Sequence, residues 1–202
     1  MAISVEGQTE EEFVKEVLAD HLRSRDVFVT PVLLGRARHS VKGGGNATID
    51  GLSRELHSLQ YSFDAVTSLV DFYGFKGKKE MSPDMLVQAI ENSIEQFDER
   101  KIFPYVQVYE FEGLLFSDVN AFKSVWDKAP LIDLRKIRAK FGTPEEINDS
   151  SETAPGKRIL KLLPGYRKTL HGPSLAREIG LDKLRNECPG FCAWLGRLES
   201  LG

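Results

Sequence analysis

Three apolar, strand-like stretches of this chain end in a carboxylate: Glu6 closes residues 1–6, Asp71 follows residues 65–70, and Glu110 follows residues 102–109. Glu112 comes two positions after Glu110, and Asp118 lies shortly beyond. Side chains at the carboxyl ends of parallel strands project from one edge of a sheet. Acids gathered there cannot all stay ionised without a compensating cation. An all-oxygen donor set, with no Cys or His at ligand spacing, favours Mg2+ or Mn2+ over zinc. Any one of these acids equally reads as a polar residue punctuating a strand end. Their coincidence at three strand ends is what points to a metal.

The elements that must bring them together follow from periodicity. Residues 9–25 carry Phe13, Val14, Val17, Leu18 and Leu22 at helical spacing, with Thr9 placed as N-cap and Glu10, Glu11 and Glu12 in the first turn. Thr9 and Glu12 also have the spacing of a capping box. Residues 27–34 are β-branched and apolar, and residues 49–59 repeat leucine on one side. Pro83 opens a further helix that buries Leu86, Val87, Ile90 and Ile94. The alternation predicts an α/β fold with a mostly parallel, Rossmann-like sheet and helices on both faces. After residue 113 the pattern changes to short helices broken by Pro and Gly, at 118–126, 131–141, 154–163, 174–179, 182–187 and 191–201. The expected organisation is an α/β core over 1–117 and a C-terminal helical extension, 118–202, packed on it.

Composition narrows the class. The chain has 202 residues, 41% of them hydrophobic and 28% charged, which describes a globular domain with a real core. No apolar run approaches the ~20 residues of a membrane span, and no leader pattern opens the chain. Two cysteines, Cys188 and Cys192, make no disulfide framework and suggest a reducing compartment, so a cytoplasmic protein is expected. The net charge of −3 divides unevenly: residues 121–202 hold 15 Lys and Arg against 10 Asp and Glu, and residues 1–120 hold 12 against 20. An acidic half joined to a basic half suits a metal site beside an anion-binding surface, and also suits scattered solvated charges.

Several other features carry less. Gly43–Gly45 lacks the GxxxxGK[ST] pattern of a P-loop and reads as a turn. The basic, amphipathic stretch 134–141 reads as an exposed helix face or a contact for a nucleic acid backbone. No histidine stands with a Ser or Cys in a nucleophile motif. The segment from Asn148 through Pro155, Lys157 and Arg158 is either an anion pocket at a helix start or an ordinary solvated one.

The element Val5-Glu6-Gly7-Gln8-Thr9-Glu10 resembles the opening motif of Toprim domains, especially those of overcoming-lysogenization-defect nucleases. Val70-Asp71 resembles their second acidic motif, and Glu110-Phe111-Glu112-Gly113-Leu114-Leu115 their distal acidic cluster. From Val5 to about Trp194 the chain also resembles a Toprim-related bacterial domain of unknown function, DUF4276, through Asp71-Phe72-Tyr73-Gly74, Glu110-Phe111-Glu112, Ile147-Asn148-Asp149, Ala154-Pro155-Gly156-Lys157-Arg158 and Pro164-Gly165-Tyr166. The resemblance implies a Toprim-type sheet and metal-dependent phosphodiester chemistry. Glu6, Asp71, Glu110, Glu112 and Asp118 would hold Mg2+ or Mn2+. Lys157 would serve catalysis, with Arg158, Lys42 and Asn148 binding substrate. It further implies a nucleic acid substrate and a defence effector controlled in trans by an AAA- or ABC-type ATPase, with no membrane partner. Tyr73 stands where Toprim enzymes carry the second acid of a DxD pair, so a binding or regulatory module that has lost its chemistry is the alternative.

Overall fold

The computed structural model describes residues 1–35, 47–148 and 152–202. Its centre is a parallel sheet in the order β2-β1-β3-β4, built from β1 (Ala2–Val5), β2 (Thr30–Leu33), β3 (Val66–Asp71) and β4 (Ile102–Phe103), with β5 (Val106–Gln107) also pairing with β3. β1 lies in register between its neighbours, with Val5 opposite Leu33 on one side and Leu69 on the other. This is the expected α/β arrangement, with helices on both faces.

Strand alternation sorts the core into two layers. Ala2, Val66, Val70, Ile102 and Val106 face α3 (Ile49–Leu59) and α4 (Pro83–Asn92), which bury Leu52, Leu56, Leu86 and Ile90 against them. Ile3, Val5, Leu69 and Phe103 face the other way, into a cluster with α1 (Gln8–Phe13), α2 (Ala19–Arg23) and the C-terminal helices. A π-helical stretch, Val14–Leu18, joins α1 to α2. The later helices are α5 (Leu131–Arg138), α6 (Pro155–Leu162), α7 (Lys168–Ile179), α8 (Leu181–Glu187) and α9 (Pro189–Glu199). One buried cluster contains Ile3 and Leu69 together with Leu134, Leu175, Phe191 and Trp194, so the C-terminal helices complete the core on this face. Trp194 adds a hydrogen bond from Nε1 to Thr67 Oγ1 in β3, 3.0 Å, and its ring stacks on Tyr105 at 4.7 Å. No helix among the described residues is long and apolar enough to cross a membrane.

Three local expectations are corrected. The strand expected over 102–109 is broken, because Pro104 has no N–H to give the ladder. Ser68 fills the gap: its hydroxyl donates to Tyr105 O at 2.9 Å and accepts from Tyr105 N at 3.0 Å. The first helix is capped by Gly7 rather than Thr9, and Glu10 rather than Glu12 reaches back, its Oε2 accepting from Gly7 N at 3.0 Å. α7 starts at Lys168, six residues before the expected 174, and runs through Gly172 and Pro173. Both are buried, and Gly172 lets the helix close on Phe111 and Thr9: a Cβ there would stand 3.2 Å from each.

Candidate functional site

The strand order turns back between β1 and β3, and a parallel sheet opens a crevice at such a point, beyond its carboxyl edge. Glu6 and Asp71 leave the sheet on either side of it. Glu6 N still donates to Leu69 O of β3 at 3.3 Å, and the Glu6 side chain bridges the two strand ends, its Oε2 accepting from Asp71 N at 3.1 Å. Asp71 Oδ1 in turn accepts from Phe111 N at 2.9 Å. The chain reaches Phe111 through Tyr109, whose φ of 63° lies in the left-handed region that non-glycine residues rarely adopt. Tyr109 O accepts from Tyr73 N at 2.8 Å, which ties this strained turn to the loop after β3.

The 3-10 helix Phe111–Ser117 starts there, with Glu110 as its N-cap residue and Glu112 in its first turn. Glu112 is 1% exposed and uses both oxygens: Oε2 pairs with Lys168 Nζ at 3.0 Å, and Oε1 accepts from the Tyr166 hydroxyl at 3.4 Å. Glu110 Oε2 accepts from Gly156 N at 3.0 Å. A fifth acid joins them, the buried Glu10 of α1.

These carboxylates feel one another. Burial, then the charges of Glu10, Glu112, Glu6 and Glu110, hold the Asp71 carboxyl well above the usual range. Burial, with Glu112 and Glu6 nearby, pushes Glu10 up to about 7, against hydrogen bonds that favour its charged form. Glu112 is raised by burial, with Lys168 opposing. Burial pulls the Lys168 ammonium down, but Glu112, Glu110 and Asp71 outweigh it and raise it overall. A second ammonium, Lys78, donates to the carbonyls of Phe72 at 2.7 Å and Tyr73 at 2.6 Å and lies 4.6 Å from the Phe72 ring centre. Burial lowers it, while Glu6 acts in the opposite sense.

The donor set suits a hard divalent cation, being all carboxylate, rich in like charge, and already drawing in a lysine ammonium. Among the described residues, however, no three His, Cys, Asp or Glu side chains stand as a group that could hold a metal ion. Backbone N–H groups engage one oxygen each of Glu6, Asp71, Glu110 and Glu10, and Lys168 and Tyr166 engage Glu112.

The structure therefore brings Glu6, Asp71, Glu110 and Glu112 to one site and disperses the other candidates. Asp118 caps the 3-10 helix Val119–Ser124, with Oδ1 accepting from Asn120 N at 2.9 Å, and lines a hollow with Arg138, Lys183 and Glu187 that none of the five acids shares. Lys157 pairs with Glu152 at 3.3 Å. Arg158 donates to the Thr153 carbonyl and lies over the Phe141 ring. The N-terminus of α6 does receive an anion, but that anion is the chain's own Glu110, bound through Gly156 N–H. Asn148 is half-buried, and its Oδ1 has no hydrogen-bond partner among the described residues. Lys42, Asp149 and the glycines 43–45 lie outside the described residues.

Glu10, Lys168, Tyr166 and Lys78 join the site without having been expected there from the sequence. Glu10 looked like a charge complementing a helix dipole, and nothing local distinguishes the two roles. The block Pro164-Gly165-Tyr166 was the available pointer to Tyr166 and, two residues on, to Lys168.

No curated protein and no solved structure matches the chain. The sequence model of the family described as "Domain of unknown function (DUF4276)" matches residues 5–199, a span that takes in all five acids, Lys78, Tyr166 and Lys168. The chain belongs to the DUF4276 family.

Proposed function

We propose that this protein is a Toprim-like, Mg2+- or Mn2+-dependent phosphodiesterase that cleaves nucleic acid, acting as a bacterial defence effector under an ATPase supplied in trans. The observation that carries the reading is the convergence of Glu6, Asp71, Glu110, Glu112 and Glu10 at the turning point of the sheet, where Asp71 is half-buried among four other carboxylates. Glu6 and Asp71 would hold the ion from adjacent strands, with Glu110 and Glu112 closing from the 3-10 turn. A divalent cation in such a site polarises a phosphoryl oxygen and acidifies a bound water. The chain's own contribution is rigidity. Backbone N–H groups fix one oxygen of each of Glu6, Asp71 and Glu110, which holds these side chains in place. Lys168 brings positive charge to the same edge, where the dianionic transition state of phosphodiester cleavage needs it.

The test is incubation with plasmid, single-stranded DNA and tRNA, with and without Mg2+ or Mn2+, repeated with a candidate partner ATPase added in trans. Cleavage should require the ion and disappear in Glu6→Gln and Asp71→Asn while both variants stay folded. Cleavage unaffected by these substitutions overturns the proposal. Tyr73 at the usual second acid position favours one further reading, a binding module without chemistry. That reading expects no saturable metal binding that depends on Glu6 and Asp71.

A further inference from the structure

We infer that Tyr73 and Tyr109 form a stacking surface for unpaired bases at the rim of the crevice, so that the nucleic acid lying there is single-stranded. The inference deepens the nuclease reading above, on which it rests for the class of polymer. It draws on neither the acidic side chains nor an ion.

Both tyrosines stand beside the crevice. Tyr73 is two residues past Asp71, and Tyr109 immediately precedes Glu110. The hydrogen bond from Tyr73 N to Tyr109 O joins their backbones at 2.8 Å. The loop between β3 and α4 passes close by, since a Cβ added at Gly74 would stand 3.4 Å from Glu6 Oε1. Each tyrosine is half-buried, yet neither packs into a core cluster among the described residues. Tyr109 keeps a large ring at a φ of 63°, where a residue without one would be less strained.

The surface is held from behind. Phe72 packs on the core layer formed with α3 and α4, and its ring meets Tyr109 edge-on at 6.4 Å between centres. The Lys78 ammonium lies 4.6 Å from the Phe72 ring centre and 5.7 Å from that of Tyr73, fixed there by the Phe72 and Tyr73 carbonyls. A platform ordered in advance loses little freedom when a base stacks on it.

Its surroundings select the occupant. From Phe72 to Met81 the loop holds Lys76, Lys78 and Lys79 against Glu80 alone. Lys76 and Lys79 are exposed and pair with no acid among the described residues. Aromatic faces alongside free ammonium groups match the bases and phosphates of one strand, because every base has a π-face and every linkage a charge. An apolar protein segment would cover the rings and leave the lysines without a partner. A duplex keeps its bases stacked on one another and withholds their faces.

The measurement is fluorescence anisotropy with chelator present, using a labelled oligothymidylate about 12 nucleotides long, a duplex of that length, and an abasic strand of that length. Variants are checked for folding by circular dichroism. Wild type should bind the oligothymidylate about tenfold or more tighter than either other probe. Tyr73→Leu removes a ring, and Tyr109→Asn removes the other with a residue that tolerates the left-handed backbone. Each should weaken oligothymidylate binding about fivefold or more and leave the abasic strand unchanged, while Tyr73→Phe should match wild type. Duplex bound as tightly as the single strand, either ring-deleting variant at wild-type affinity, or no binding of any probe overturns the inference. If these losses are absent but the ion still supports cleavage, only the inference falls. If the single strand binds as expected and no ion supports cleavage, the nuclease reading falls and the stacking surface stands.

Discussion

Glu110 Oε2 accepts the backbone N–H of Gly156 at 3.0 Å, so a carboxylate 46 positions upstream serves as the anion at the start of α6. The contact is buried, and it fixes the acidic 3-10 turn against the C-terminal helices. Removing the acceptor leaves a buried N–H unpaired at a helix start, which costs about 2 kcal/mol. Glu110→Ala should lose about that much in urea unfolding. Glu110→Gln keeps an acceptor oxygen and removes one of five like charges, so it should unfold close to wild type. Equal losses in the two variants would show that the N–H contact contributes nothing.

The crowded acids make a prediction about pH. Glu10 titrates near 4.5 in an unfolded chain and at about 7 in the folded one. Between those values the folded protein binds more protons than the unfolded. The stability linked to Glu10 is therefore complete below 4.5 and is lost as pH rises through about 7. Asp71, also raised, acts in the same direction. With chelator present, Glu10→Gln should match wild type at acidic pH and exceed its stability at mildly alkaline pH by about 2 kcal/mol. Chemical denaturation at the two pH values measures this. A Gln variant destabilised equally at both would sink the account.

What could be read from the sequence was whatever is local. The helix at 49–59 and the start at Pro83 follow from short-range signals: Thr48 Oγ1 accepts from Gly51 N at 3.1 Å, Ser82 Oγ accepts from Met85 N at 3.2 Å, and leucines recur at helical spacing. Acids at strand ends are local too, which is why Glu6, Asp71 and Glu110 could be singled out. The beginning of α7 was hidden because Gly172 and Pro173 break most helices, and only packing against α1 and Phe111 compensates here. Lys168 could not be assigned for a different reason. Its partner, Glu112, is 56 residues away, and no spacing rule links them. Lys157 and Arg158 were drawn in by sequence proximity to a helix start, but the anion is met there by a backbone N–H.

The broken strand gives a third test. Tyr105 lies between β4 and β5 and takes both its backbone contacts to β3 from one hydroxyl, Ser68 Oγ. Ser68→Ala would leave a half-buried N–H and carbonyl without their partner. The expected loss is about 1–2 kcal/mol, read by thermal or urea unfolding. Ser68→Thr retains the hydroxyl and should recover part of it. A neutral Ser68→Ala would mean that water or a backbone shift repairs the interruption.

Lys78 closes the loop that follows Asp71. Its ammonium is shared by the Phe72 and Tyr73 carbonyls, and the Phe72 and Tyr73 rings flank it at 4.6 and 5.7 Å. The same loop carries Tyr73 N, which anchors Tyr109, and Gly74, where an added Cβ would stand 3.4 Å from Glu6 Oε1. Lys78→Met keeps the stem and deletes three donors, so the loop should open locally while the sheet stays intact. Amide exchange at Phe72 and Tyr73 should accelerate about tenfold or more, with protection in β1 and β3 unchanged. Lys78→Arg retains the charge but carries a planar fork too wide for two adjacent carbonyls, so it should restore only part of the protection. Exchange that stays at the wild-type rate in Lys78→Met would show that the loop is held by its backbone bonds to Gln107 and Tyr109 alone.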